Sequence, residues 1–425
     1  MTHILLQLKS DYRALKSHLK YSYFEAFLSS FVVGIAESFF AAFSIEKGMS
    51  TIQSGMLLSL PLILAVGANL LFNFYIRHRS ISQQVKRNTL LQTLSLVGLI
   101  LFSIATVNNS ILVFSSLMIL YSVYWYGYFS SQPVWNTWIS EILEDHQGHE
   151  YFALRTRLTQ IGIISGLVLG GALLQWKILN LAHGHLFGLL FSAAFVGQIF
   201  KYYSFKKHVP STSVMSFSFT KVKTIFKQNR SFFSSYGLFN ASLFLSAPYV
   251  TGYLLTTRNL NYFNFMLVTV SLFAGKIVST YILSLTVNKL TPIKLMIIGG
   301  IIAAPLPLLW PYCTTPETMY ALNFISGMFW ALWDVGLSLS FFKNISAEDK
   351  IETVTLYHSI GFLTQVIGTC IGALFIKYVF HYNYHSVFVF AGIVRFMCIL
   401  PFRKNKNLGF EADTDSSSVE KLKAS

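Results

Sequence analysis

Residues 110–135 read SILVFSSLMILYSVYWYGYFSSQPVW, 26 positions without a charged side chain. A helix rises ~1.5 Å per residue, so a run of this length crosses the ~30 Å hydrocarbon core of a bilayer. Its first half is mainly Leu, Ile, Val and Phe, while Tyr, Trp, Ser and Gln crowd the second. Helix and membrane together account for the length, and the polar residues near its end ask for partners that lipid cannot supply.

Eleven similar runs flank it. The predicted spans are 23–45, 52–75, 88–107, 110–135, 151–176, 184–204, 231–255, 262–287, 292–312, 317–341, 353–378 and 384–402. Composition agrees, with 53% hydrophobic and 12% charged residues and a mean hydropathy of +0.54, where soluble domains carry ~25% charged residues. The expected fold class is an all-α membrane protein of twelve transmembrane helices. The net charge of +15 is explained by loop placement rather than by nucleic acid, because no basic face belongs to a soluble fold that could grip phosphates.

With the N-terminus inside, and basic residues near a span end counted with the adjoining loop, the inside segments hold 26 Lys and Arg: four before the first span, 4, 2, 7, 2 and 2 in successive loops, and five in the tail. The outside loops hold Lys47, Lys177, Arg258 and Lys377, and two more basic residues lie within spans. The bias places both termini in the cytoplasm. Residues 1–22 lack the apolar core and cleavage site of a signal peptide. There Ile4, Leu5, Leu8, Tyr12, Leu15 and Leu19 recur at helical spacing between lysines, as in a helix lying on the cytoplasmic surface. Cys313, Cys370 and Cys398 are scattered over different regions and suggest packing rather than a disulfide framework.

The basic, Ser/Thr-rich stretch 205–230 divides the chain into segments 23–204 and 231–402, six spans each, before a tail at 403–425. The halves echo one another. Val134-Trp135-Asn136 answers to Leu332-Trp333-Asp334 at an offset of 198, and Leu158-Thr159-Gln160 with Gly162 to Leu363-Thr364-Gln365 with Gly368 at 205. Duplicated bundles of this kind are a transporter habit.

Twelve spans in two halves, a basic central loop and inside termini resemble the major facilitator superfamily over nearly the whole chain. Trp135-Asn136-Thr137-Trp138-Ile139-Ser140, then Tyr151-Phe152, Arg155 and Arg157, is similar to a signature of a bacterial branch whose substrates are largely unassigned. The resemblance implies two pseudo-symmetric six-helix bundles in a bacterial cytoplasmic membrane, with the first and fourth spans of each half lining a central cavity. Three departures weaken drug-proton antiport as a reading. The loop Arg77 to Arg87 has no acidic residue, the fourth span lacks an intramembrane Arg, and Leu167 stands where a glycine-rich antiporter motif has proline.

A charge at mid-bilayer costs at least ~2.5–3.5 kcal/mol, so ionisable residues there are functional candidates. Glu37, Lys276 and Asp334 form the expected transport and coupling set. Ser30, Gly34, Glu37 and Ala41 share a small, polar helix face, which suits either a cavity or a close helix contact. Glu37 is then a proton or cation site, or a carboxyl hydrogen-bonded within the bundle. Lys276 needs a counter-charge, for which a protein carboxylate is preferred to an anionic substrate. Asp334 either binds substrate or ion, or caps a neighbouring helix. Arg395 is near enough to the inner surface for its side chain to extend toward headgroups, and it stays outside the expected site.

Tyr121, Tyr124, Tyr128, Gln132 and Trp135 in the fourth span, with Asn323 and Trp330 in the tenth, form matching stripes expected to line a substrate cavity. A helix interface with an interfacial aromatic belt is the other reading. Gly162, Gly166 and Gly170, and Ser271, Gly275 and Ser279, are small-residue faces that would form a sliding seam where spans 5 and 8 meet. Glu141 and Asp145 can pair with Arg155 and Arg157 as a breakable cytoplasmic gate.

No nucleophile elbow, metal-ligand pair or phosphate-binding loop occurs, and the histidines between His146 and His149 read as a solvated loop. The expected protein is therefore not an enzyme and uses no cofactor or metal. It is a monomeric secondary active transporter of a small-molecule substrate, coupled to protons or another ion, working in the lipid bilayer without nucleic acid. A non-transporting sensor or assembly protein on the same fold is the alternative.

Overall fold

In the computed structural model the described residues are 17–75, 80–107, 109–142, 148–175, 182–207, 218–286, 291–344 and 349–404. Most of the amphipathic segment 1–22, the middle of the 205–230 linker and nearly all of the tail lie outside them. In chain order the helices are α1 Ser17–Ile35, α2 Phe40–Glu46, α3 Thr51–Tyr75, α4 Ile81–Ile104, α5 Ser110–Ile142, α6 Gly148–Gln175 and α7 His183–Lys207. Then follow α8 Phe219–Gln228, α9 Arg230–Leu243, α10 Val250–Gly252, α11 Tyr262–Thr286, α12 Pro292–Ala303, α13 Pro316–Asn344, α14 Lys350–Leu374 and α15 Tyr384–Ile399.

Ten described helical segments are long and apolar enough to cross a membrane, and Thr51–Leu64 is a shorter apolar helix. Helix α13, of 29 residues, is a further long helix and carries Asn323 and Asp334 among its apolar residues. Large apolar side chains such as Leu94, Leu101, Ile111, Ile119 and Met397 are exposed. On this many apolar helices they face lipid, so this is a multi-pass membrane protein.

The first and seventh spans are interrupted. Helix α1 stops at Ile35 and resumes as α2 after a 3-10 turn, Glu37–Phe39; α9 stops at Leu243, and a second 3-10 turn, Ala247–Tyr249, precedes α10. Beyond the first break, Lys47 donates to the carbonyls of Ser103 (2.8 Å) and Ala105 (2.9 Å) at the end of α4. Partial burial pulls its ammonium pKa below the ordinary value, with Glu46 acting in the other direction. A cation suits this position because the last carbonyls of a helix lack intrahelical donors.

Helix neighbours repeat. Helix α1 packs on α6 and α7, α4 on α5 and α7, and α3 on α5; correspondingly α9 packs on α14 and α15, α12 on α13 and α15, and α11 on α13. Two further pairings, α6 with α11 and α3 with α14, join the two groups.

Glycines set the closest approaches. A Cβ at Gly162 or Gly166 would lie 2.6 Å from the Phe27 carbonyl oxygen or 2.4 Å from that of Phe31, and one at Gly368 or Gly372 would lie 2.1 Å from Ala241 O or 2.2 Å from Leu245 O. The equivalence is 206 residues on α6 and α14 (162 to 368, 166 to 372) and 214 on α1 and α9 (27 to 241, 31 to 245). The Leu-Thr-Gln echo at 205 is thus one residue out of the spatial register.

The expected seam is corrected by the same contacts. Gly162 and Gly166 face α1, and Gly275 faces α13, 2.0 Å from Phe324 O, so these surfaces close contacts within each helix group. Between α6 and α11 the approach is made by Gly171 against Met266. On α13, a Cβ at Gly327 would fall 1.9 Å from Leu272 O, a backbone atom that cannot step aside. Gly327→Val is expected to wedge α11 from α13, costing at least ~1–3 kcal/mol as overpacking does. Thermal unfolding in detergent should show a lowered midpoint; an unchanged curve would mean that the seam yields.

The apolar packing differs at the two ends. One cluster, including Phe39, Phe43, Tyr121, Phe191, Tyr249, Phe265 and Phe388, runs through both helix groups. At the end carrying residues 17 and 404 there are two clusters, one with Leu19, Tyr151 and Phe205, the other with Phe232, Trp333 and Phe402. The helices are therefore packed together at one end and separately cored at the other.

Candidate functional site

The polar side chains gather toward the separately cored end. In the first group, the close α1–α6 approach brings Glu25 to Arg155, with 2.9 Å between Oε2 and Nη2 and side-chain exposures of 4% and 16%. Arg155 also donates to Ser22 O at 2.9 Å and Ser22 Oγ at 3.3 Å. Its guanidinium lies 3.8 Å from the Trp135 ring centre, a favourable position for a cation on an aromatic face. Ser22 is further tied to the hydroxyl of Tyr151.

Lys201, from α7, reaches Ser29 Oγ at 3.0 Å and Gln92 Oε1 at 3.5 Å. Lys201 and Ser29, with Glu25, Arg155, Tyr128 and Gln132, border a cavity of about 40 Å³, room for a water or two. Two cations and one carboxylate therefore face each other in a largely buried space.

In the second group, Lys276 Nζ is 2.7 Å from Asp334 Oδ2, and the Asp334 side chain is 53% exposed. The protein carboxylate that Lys276 is expected to need is supplied by Asp334. Beyond it, Tyr236 stacks on Tyr357 at 4.4 Å, and His358 stacks on Phe362 at 5.8 Å. Phe362 meets Phe129 of α5 at 3.9 Å, an aromatic contact between the two groups.

Glu37 does not join this pair. No hydrogen bond or ion pair among the described residues links it to Lys276 or Asp334. The break after Ile35 takes it off the Ser30–Gly34 face, which is spent on the α6 contact, and it accepts a 3.3 Å hydrogen bond from Tyr124.

The fourth-span stripe divides by depth. Tyr121 is fully buried, donates to Phe40 O at 2.9 Å and stacks on Phe40 at 4.4 Å, so it is core rather than cavity wall. Tyr124 is likewise buried, whereas Tyr128, Gln132 and Trp135 border the small cavity. Asn323 and Trp330 line a different cavity, inside the second helix group.

The expected gate lies only partly within the described residues. Arg155 is engaged by Glu25 on a neighbouring helix, and Arg157 is exposed. The side chain of Glu141 and the whole of Asp145 lie outside the described residues. Arg395, expected to reach toward the headgroups, is 8% exposed and held inside the bundle. Among the described residues no three His, Cys, Asp or Glu side chains form a metal-binding set.

Glu25, Lys201 and His358 were missed. Glu25 and Lys201 lie within two turns of predicted span ends, where sequence gives no means of separating a buried ion from a snorkelling one. His358 stood near the start of a span, where a histidine is as readily solvated as buried.

No family profile matches the chain, and no curated protein matches it in sequence. Solved structures do match in fold. A peptide transporter POT in complex with sulfate is 12% identical with a TM-score of 0.64, covering 91% of this chain and 94% of that one. A D-xylose-proton symporter is 15% identical, TM-score 0.65, over 94% and 99%. A single-residue variant of the nucleoside transporter NupG is 15% identical, TM-score 0.64, over 92% and 100%.

Proposed function

With the fold of these transporters as its premise, we propose that the protein is a secondary active transporter of the major facilitator type. It moves a small solute across a bacterial cytoplasmic membrane by rocking two six-helix bundles, 23–204 and 231–402. Twelve crossings, inside termini and a single-chain functional unit belong to this reading. The observation that carries it is the asymmetry of the core. One end is sealed by an apolar cluster shared by both groups, while the other has two separate cores with Glu25–Arg155 and Lys276–Asp334 nearby. An alternating-access protein resting with one gate closed has such packing. The positive-inside bias makes the separately cored end cytoplasmic.

Tyr128, Gln132 and Trp135 act as substrate-cavity residues in this reading, with Lys276 and Asp334 as a charge pair that substrate or ion can open. Glu37 is the proton site, set at a helix break where a change of hydration accompanies each swing. The D-xylose-proton symporter with this fold supports proton coupling. Vesicles with the protein, given a pH gradient and analysed by mass spectrometry, should accumulate at least one solute that empty vesicles do not, and a protonophore should abolish the accumulation. Glu37→Gln is expected to keep downhill exchange of that solute while losing more than ~10-fold of the uphill accumulation, a loss of coupling worth about 1.4 kcal/mol or more. Equal solute profiles with and without protein would overturn transport, and undiminished accumulation by Glu37→Gln would remove Glu37 from coupling.

A further inference from the structure

A cavity of about 260 Å³ lies inside the second helix group, bordered by Ser246, Asn323, Ser326, Trp310, Trp330 and Arg395. It sits at the break of the seventh span. Arg395 donates from Nε to Ser242 O (3.4 Å) and from Nη2 to Leu243 O (2.6 Å) and Ser246 Oγ (2.9 Å). The two carbonyls belong to the C-terminal end of α9, whose dipole favours a cation there.

That anchoring leaves part of the guanidinium idle. Nη1 carries two further N–H donors, yet no described residue accepts from it, and no described carboxylate pairs with Arg395. Arginine stays charged in any protein environment. A buried cation without a counter-ion is costly, and a carboxylate is the geometric match for a guanidinium edge.

The internal repeat indicates what is missing. By the 214-residue equivalence, Ser29, which holds Lys201, corresponds to Leu243, which holds Arg395. Each group thus buries one cation from its last helix against the same level of its first. In the first group Glu25 borders the same small cavity as Lys201. Its counterpart at 239 is Phe239, packed 6.2 Å from the Trp330 ring. Where one cavity contains a protein carboxylate, the other has an aromatic wall and several times the volume.

We infer that the Arg395 cavity is a binding site for a small aromatic or apolar monocarboxylate. The anion takes the free Nη1 edge with Asn323 and Ser326 beside it, and its body lies against Trp310 and Trp330. The site lies within one helix group and does not depend on the protein being a transporter.

Purified full-length protein in detergent tests it, with benzoate as probe and benzamide as the uncharged analogue. Benzoate should quench tryptophan fluorescence saturably and raise the unfolding temperature, with benzamide at least ten-fold weaker. Ser326→Leu fills the cavity but leaves the three acceptors of Arg395 in place, and it should abolish the benzoate response while folding normally. Arg395→Gln should abolish it as well; if that variant fails to fold, Ser326→Leu alone decides. Equal responses to benzoate and benzamide, or an undiminished response in Ser326→Leu, would overturn the inference. Transport by vesicles is a separate readout, so either reading can fail without the other.

Discussion

A Glu25→Gln protein is expected to be about 3–5 kcal/mol less stable than its parent, the usual loss when one member of a buried ion pair is removed. The magnitude follows from what remains. Arg155 and Lys201 would face the same small cavity with no described carboxylate between them, and the Glu25 and Arg155 side chains are only 4% and 16% exposed. Glutamine restores a hydrogen-bond acceptor but not the charge, so two cations repel in a medium of low dielectric constant. Removing both partners, as Glu25→Gln with Arg155→Met, should recover part of the loss, because no uncompensated ion of that pair is then buried. The measurement is thermal unfolding of the three variants in one detergent at one pH. An unchanged midpoint for Glu25→Gln would mean that water screens the cluster. A double variant no better than the single one would place the stabilisation in the contacts of Arg155 with Ser22 and Trp135.

Those residues also mark how far the sequence could be read. Membrane crossings were legible because hydrocarbon thickness fixes the length of an apolar run, and the membrane class follows from composition alone. That Lys276 needs a counter-charge was legible for a related reason, since a lysine in the middle of an apolar helix must find one; that Asp334 rather than Glu37 or a substrate anion supplies it was not, because the partner is on another helix. Glu25, Lys201 and Arg395 were not legible in their roles, since a charge near a span end has two outcomes of similar cost, snorkelling or burial, and the partner that decides between them is on another helix. The α1 break is the second limit. Helical spacing put Glu37 on the face of Ser30 and Gly34, but the 3-10 turn at Glu37–Phe39 changes the register there. Small-residue faces declared a close contact without saying with whom, so Gly162 and Gly275 were assigned to a seam between groups rather than to α1 and α13. Tyr121 shows the same ambiguity. A tyrosine needs a partner for its hydroxyl, and a backbone carbonyl in the core satisfies it as well as a substrate does.

A disulfide between Thr51→Cys and Thr256→Cys is expected to stop transport completely and reversibly. The two hydroxyls are 3.3 Å apart, joining the start of α3 to the end of the interrupted seventh span, at the end where one apolar cluster runs through both helix groups. Disulfide formation needs Cβ atoms ~3.5–4.5 Å apart, a range compatible with that separation. The native Cys313, Cys370 and Cys398 are unpaired and would be replaced by alanine, so that only the new bond forms. If the bundles rock, this end must open once per cycle, and a covalent tie there blocks every turnover whatever the substrate. Oxidised protein should therefore still bind a solute from the separately cored end but release none on the other side, with transport restored by a thiol reductant. Each single cysteine variant should transport normally under the same oxidant. Undiminished transport with the disulfide shown to be fully formed would mean that this end never separates, and rocking about a central cavity would have to be abandoned for this chain.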